Sequence, residues 1–178
     1  MASKYSMNDR PSWPRRAIVT AGEPYGNKGL HFGHVGGVFV PADFFARFLR
    51  DRLGRENVIF TSGTDCYGSP IMESYRKLKE NEGYDKSISE YVESNNSRQA
   101  ATLNNYNISC DIYGGSGLEP AAQIHNEVTA EIIERLHEQG TISKRSTLQF
   151  YDAKAGTFLN GLQVMGRCPI PGCMSEKA

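Results

Sequence analysis

The chain has 178 residues, twenty Lys and Arg against twenty Asp and Glu, and 39% hydrophobic residues. That length can bury the core of one domain, and the cancelled charge leaves no global field drawing the chain to nucleic acid or to a membrane surface, although a local patch could still meet RNA. No apolar run approaches the ~20 residues of a membrane span.

Residues 1–16 are polar and proline-containing, an extended lead-in without the apolar stretch of a signal peptide. Four cysteines, Cys66, Cys110, Cys168 and Cys173, do not suggest a disulfide framework in a chain this long, so a cytoplasmic setting is expected. The first element is the short β-branched run Ala17 to Thr20, expected as a buried strand. A loop follows in which Gly22, Pro24, Gly26, Asn27 and Gly29 suit turns, and it closes on His31-Phe32-Gly33-His34, where a helical pattern starts. Strand, glycine-rich loop and helix N-terminus together form a place for an anion. His31 and His34, at i and i+3, share one face of the first turn and can donate to phosphate oxygens there. Part of a metal site and two ordinary surface histidines are the competing readings, and no third ligand lies near in sequence. The stretch is neither a Walker loop nor a G-x-G-x-x-G fingerprint.

A helix is expected from about Phe32 to Leu53, with Phe44, Phe45, Phe48 and Leu49 as its apolar stripe and Arg47, Arg50, Asp51 and Arg52 in water. Pro41 must kink or restart it, and Gly54 ends it. Asn57 to Ser62 is the second short apolar strand, so the sequence reads β-α-β with parallel strands and a right-handed crossover. Ligands of open parallel sheets bind beyond the carboxyl ends of the strands, so the loops 21–30 and 63–70 should border one crevice. Asp65, between Gly63 and Gly68, is placed there to hold an ammonium group; its other reading is a helix cap ahead of Pro70.

Further on, helices are expected from Pro70 to near Gly83 and from about Lys86 to Tyr106, the latter with Ser87, Ser89 and Glu90 at its start. Asn107 to Tyr113 reads as a strand-like piece and Gly114 to Gly117 as a turn. Pro120 to Gln139 forms a helix with Ile124, Val128, Ile132 and Leu136 at i+4 steps, closed by Gly140. Thr147 to Tyr151 and Gly156 to Leu159 suggest a hairpin. The expected class is α/β with a Rossmann-like parallel sheet, whose open edge and apolar helix faces favour self-association. Cys168 and Cys173 form a C-x4-C pair, which alone suits either half of a zinc site or two thiols, since structural zinc takes four ligands.

Several of these segments resemble one family. Pro24-Tyr25-Gly26-Asn27 followed by His31, Gly33 and His34 resembles the first signature of the class I aminoacyl-tRNA synthetases, in its methionyl form. Gly63-Thr64-Asp65-Cys66-Tyr67-Gly68-Ser69-Pro70-Ile71 is similar to that family's G-[TA]-D-x-H-G-[TS]-P-[IV], with Tyr67 where the family has histidine. Asn107 to Tyr113 resembles its N-I-S-x-D-x-[YF], and 140–152 resembles the approach to its inserted connective domain. The chain departs at Gly22 and Glu23, where the family has A-L before the proline. An extra acid there bears on which amino acid is preferred. The likeness runs from about Arg16 to the C-terminus.

The resemblance implies the first half of a class I synthetase nucleotide fold in residues 1–141 and the start of a zinc-knuckle connective insertion in 142–178. It implies ATP, entering with Mg, activating methionine to an aminoacyl-adenylate, with transfer to tRNA in an intact enzyme. His31 and His34 would be catalytic; Pro24, His31, Gly33 and His34 would meet ATP; Gly22, Glu23, Tyr25 and Asp65 would meet the amino acid. Cys168 and Cys173 would be half of a zinc site, without tightly bound zinc here. Met174-Ser175-Glu176-Lys177 only superficially resembles the family's second signature, K-M-S-K-S, so the chain reads as the N-terminal part of a longer enzyme. The alternative from another class is a catalytically silent paralogue or fragment that binds a nucleotide, an amino acid or a protein.

Overall fold

Three parallel strands set the frame of the computed structural model, which describes residues 13–154, 156–159, 161, 164, 166, 168 and 170–173. They are β1 (Ala17–Thr20), β2 (Val58–Thr64) and β3 (Ile112–Gly115), in the order β1-β2-β3. Val19 stands beside Phe60, and Ser62 beside Tyr113. Parallel neighbours need crossovers. The first is a helix in three stretches, α1 (Phe32–His34), a π turn (Val35–Phe39) and α2 (Val40–Leu53); the second is α3 (Ser69–Glu82) with α4 (Ile88–Asn105). Helix α5 (Ala121–Glu138) follows β3. The expected α/β class and parallel sheet are those observed. Two compact units divide the chain, Met1–Thr129 and Ala130–Ala178. The second contains an antiparallel hairpin, β4 (Tyr151–Asp152) with β5 (Thr157–Phe158), shorter than the runs read from sequence. No helix among the described residues is long and apolar enough to cross a membrane. Residues 1–12 of the expected lead-in and the segment 174–177 lie outside the described residues.

The core of the first unit lies on one face of the sheet, where Val19, Val58 and Phe60 meet Phe39, Ala46 and Leu49 of the first crossover, Leu103 of α4, and Ile108. Alternate strand residues point to the other face. There Ile18 is 71% exposed, and Ile59 and Ile112 are exposed too. The run Ala17–Thr20 is expected as a buried strand, but only Val19 of it is buried, and β2 is covered on both faces only towards its carboxyl end. Helix α2 buries Leu49 of its expected stripe but turns the three phenylalanines outward. Its buried residues are Asp43, Ala46 and Leu49, whereas Phe44 is 76% exposed and Phe45 and Phe48 lie outside. Phe48 instead packs against Trp13 and under the Arg52 guanidinium. Close approach of α2 to the sheet needs small residues, and Ala46 supplies one.

Arg50 corrects the sequence reading as well. It was placed in water, yet its side chain is only 8% exposed. It donates to Ser109 Oγ, to Ser109 O at 3.1 Å and to Asp111 Oδ2 at 2.7 Å. Asp43 completes the network, accepting from Arg47 Nε and from Ser109 N–H, each at 2.7 Å. Burial works against both carboxylates, but the Ser109 and Arg47 hydrogen bonds hold Asp43 below its ordinary value, and the Phe60 N–H, Arg55 and Arg50 do the same for Asp111. Asp111 reaches β2 directly, its Oδ2 accepting from Phe60 N–H and its own N–H donating to Phe60 O, both at 2.7 Å.

Local rules account for most element ends. Pro41 falls in the first turn of α2, just after the π turn in which Val40 N–H bonds to Val35 O. Proline has no N–H to give and crowds the carbonyl four residues back, so the helix restarts there through a wider turn. Ser87 and Glu90 form a reciprocal capping box on α4. Gly54 and Gly83, at φ 91° and 65°, end α2 and α3. At the end of α4, Asn107 takes φ 54°, and Ile108 N–H bonds back to Leu103 O at 3.0 Å. This is a Schellman closure with asparagine in the left-handed position, and both flanking apolar residues enter the core. The strand therefore begins at Ile112 rather than Asn107, and Gly114 and Gly115 belong to it rather than to a turn.

Candidate functional site

Loop 21–31 runs from the carboxyl end of β1 and loop 65–68 from that of β2. The two are joined. Tyr25 and Asp65 form a parallel bridge, in which Gly26 N–H donates to Asp65 O at 2.8 Å and Asp65 N–H donates to Pro24 O at 2.9 Å. Just before it, Ala21 N–H donates to Thr61 O, and Ser62 Oγ donates to Gly22 O at 3.3 Å. The two turns singled out in the sequence thus border one region.

A cleft of about 290 Å³ opens beside the first loop, lined by Gly22, Glu23, Pro24 and Tyr25 together with His34, Val38 and Phe39. Glu23 also lines a second cavity, of about 170 Å³, with Ser62, Gly63, Gly114, Ser116 and His125. His34 is partly covered and His31 exposed. Their rings stack at 3.7 Å between centroids, 20° from parallel. His31 N–H donates to His34 Nδ1 at 3.3 Å, so a neutral His34 carries its proton on Nε2. Desolvation, then the neighbouring His31 and Lys28 charges, lower the His34 pKa below 6.5. Gly33 is exposed beside them, and a Cβ there would lie 3.0 Å from His31 Cε1.

Asp65 is half-buried, and Oδ1 accepts from Tyr67 N–H at 3.0 Å, an Asx turn. It is not the helix cap of the competing reading, because α3 starts after Gly68 without a side-chain cap. Tyr67, standing where a histidine was expected by resemblance, stacks on His125 at 6.3 Å. Asp65 and His31 are not among the residues lining the cleft that holds His34. Cys168 and Cys173 lie in the second unit and form no disulfide. Two thiols fall short of the four donors structural zinc takes, and no group of three or more His, Cys, Asp or Glu side chains among the described residues could hold a metal.

Helix α4 supplies what the sequence reading missed. Four successive loop carbonyls, those of Tyr25, Gly26, Asn27 and Lys28, each accept from an α4 side chain. Gln99 Nε2 reaches Tyr25 O at 3.0 Å and Lys28 O at 2.8 Å, Asn95 Nδ2 reaches Gly26 O at 3.2 Å, and Tyr91 Oη donates to Asn27 O. The available signal was two amides, Asn95 and Gln99, on a buried stripe between Val92 and Leu103.

The family model for tRNA synthetases class I (M) matches residues 17–178. A methionine–tRNA ligase of Cytophaga hutchinsonii is 35% identical over 165 residues, 93% of this chain and 22% of that protein. One of Pyrococcus abyssi is 36% identical over 162 residues, 91% of this chain and 21% of that protein. Among solved structures, Mycobacterium tuberculosis methionyl-tRNA synthetase in complex with methionyl-adenylate is similar in fold, with TM-score 0.60 and 23% identity over 82% of this chain and 26% of that one. The chain spans about a fifth of the length of these relatives' sequences.

Proposed function

The chain belongs to the class I tRNA synthetases of the methionine type, and on that premise we propose that its joined loops are the amino-acid and nucleotide halves of a methionine-activating site. The carboxylate of methionine attacks the α-phosphorus of ATP, which enters with Mg, and pyrophosphate leaves as the aminoacyl-adenylate forms. Transfer to tRNA would follow in an intact enzyme of this family. Residues 1–141 carry the nucleotide fold and 142–178 begin the connective insertion.

The observation behind this reading is the Tyr25–Asp65 bridge, which ties Asp65 through its backbone to the loop that runs on to His31 and His34. Catalysis of this kind is positioning and charge stabilisation. Asp65 takes the ammonium; Tyr25, with the backbone at Gly22 and Glu23, lines the amino-acid side. Pro24 and Gly33 let the nucleotide approach, and His31 and His34 donate to phosphate oxygens as charge builds. Self-association through the open edge of the sheet is part of the same proposal, and sedimentation across a concentration series tests it.

Calorimetry with methionine, ATP and a non-hydrolysable methionyl-adenylate analogue tests the site. Binding of the analogue, lost in His31→Ala and about 10- to 100-fold weaker in Asp65→Ala, is expected. A folded sample that binds none of the three overturns the reading in favour of a silent scaffold.

A further inference from the structure

We propose that Gln99 is the positioning residue that holds the two substrate loops in mutual register, an inference that rests on the function proposed for those loops. Its side chain is completely buried, at 0% exposure. A glutamine amide has two donor hydrogens and a carbonyl with two lone pairs, and here all four are used. Nε2 serves the first loop through Tyr25 O and Lys28 O. Oε1 accepts from Thr64 Oγ1 at 2.7 Å and from Tyr113 Oη at 2.9 Å. Thr64 immediately precedes Asp65, so one end of the amide fixes the loop leading to the histidines and the other fixes the strand end that carries the carboxylate.

The neighbours reinforce this reading. Tyr113 stays a donor, its hydroxyl pKa pushed up to about 12 by burial. Thr64 Oγ1 is held from its other side by Asn96 Nδ2 at 2.8 Å. Of the two loops, Asn95 and Tyr91 bond to the first. Gln99 is the side chain of α4 that bonds both to that loop and to Thr64. A buried amide with every group satisfied stiffens what it joins, and losing one end leaves unpaired carbonyls behind.

The test compares Gln99→Met, which keeps length but removes all four bonds, with Leu103→Ala, a core truncation one turn along the same helix. Hydrogen exchange by NMR reads the Gly26 and Asp65 amides of the bridge against the core amide of Phe60, without ligand. Gln99→Met is expected to speed the two bridge amides relative to Phe60 by roughly tenfold or more, whereas Leu103→Ala lowers Tm and leaves that ratio within about twofold. The methionyl-adenylate analogue, titrated well below each Tm, is expected to bind roughly tenfold more weakly to Gln99→Met only. Should that variant not fold, Gln99→Glu, which lacks the two donors to Tyr25 and Lys28, carries the same expectations. Equal exchange ratios in the glutamine and leucine variants overturn the proposal. Failure of the wild-type protein to bind the analogue counts against the proposed function, while the exchange ratio still decides the role of Gln99.

Discussion

Asp65 is tied to the first loop only through its backbone, its N–H donating to Pro24 O and its carbonyl accepting from Gly26 N–H. Its carboxylate contributes one bond, to Tyr67 N–H. Removing the carboxylate should therefore leave the bridge standing. Asp65→Ala is expected to bind a methionyl-adenylate analogue about 10- to 100-fold more weakly, the size of a lost charge-assisted hydrogen bond, while Tm moves little. Calorimetry and a thermal melt on the same sample check both halves. A large fall in Tm would mean that the acid holds the fold rather than the ligand.

What the sequence revealed and what it concealed divide along a physical line. Short-range rules placed Ser87 and Glu90 at a helix start, Gly83 at a helix end and Pro70 in a first turn, because each acts on its own neighbours. The outward turn of Phe44, Phe45 and Phe48 was illegible: hydrophobic count favours them, but the sheet accepts the narrow face with Asp43 and Ala46. Arg50 looked like a surface charge because its partners, Ser109 and Asp111, come from a remote segment. The loops themselves stood out by composition, yet the α4 amides that hold them read as ordinary polar residues.

The outward turn of the α2 phenylalanines gives a direct check. Leu49→Ala removes a buried side chain and is expected to cost about 2–4 kcal/mol. Phe44→Ser removes a larger but exposed one and is expected to change stability by no more than about 0.5 kcal/mol. Urea titrations of both variants rank them, and the opposite order would restore the phenylalanine stripe.

Histidine 34 makes the fold sensitive to mild acid. Its pKa lies below 6.5 in the folded chain, through desolvation and then the His31 and Lys28 charges, so the unfolded chain takes up the proton first. Stability therefore falls as pH drops from 6.5 towards the lowered value, and is insensitive to this group above 6.5. Protonation also removes the Nδ1 lone pair that accepts from His31 N–H. His34→Gln should flatten that part of the Tm-against-pH curve; an unchanged slope would assign it to another group.

Asp111 acts at lower pH, and its pKa is lowered too, here because its partners favour the charged form. Burial opposes its charge, but the Phe60 N–H, Arg55 and Arg50 hold its pKa below 3.8. Its contribution is complete above 3.8 and lost as pH falls through the lowered value. Asp111→Asn leaves the buried Arg50 guanidinium without its counter-charge and is expected to cost about 2–3 kcal/mol at neutral pH. Denaturation at pH 7 and pH 3 should show the gap between wild type and variant closing in acid. A gap that stays constant would mean that neutral hydrogen bonding carries the effect.

At Gly26 the first loop passes close against its support, and the constraint is steric rather than conformational. A Cβ there would lie 2.8 Å from Val92 Cγ1 and 3.0 Å from Thr64 Cγ2, both on buried residues. Neither is the loose end of a long side chain, so the loop must lift. Lifting it strains the Gly26 N–H bond to Asp65 O and the Asn95 bond to Gly26 O together. Gly26→Ala is expected to cost about 1–3 kcal/mol, as overpacking does, and to weaken analogue binding at temperatures where the protein is still folded. Adding Val92→Ala removes the nearer contact, so the double variant should recover part of both losses, a coupling that independent sites would not show. Simple additivity of the two substitutions would place the loop farther from α4 than the packing of Val92 against it requires.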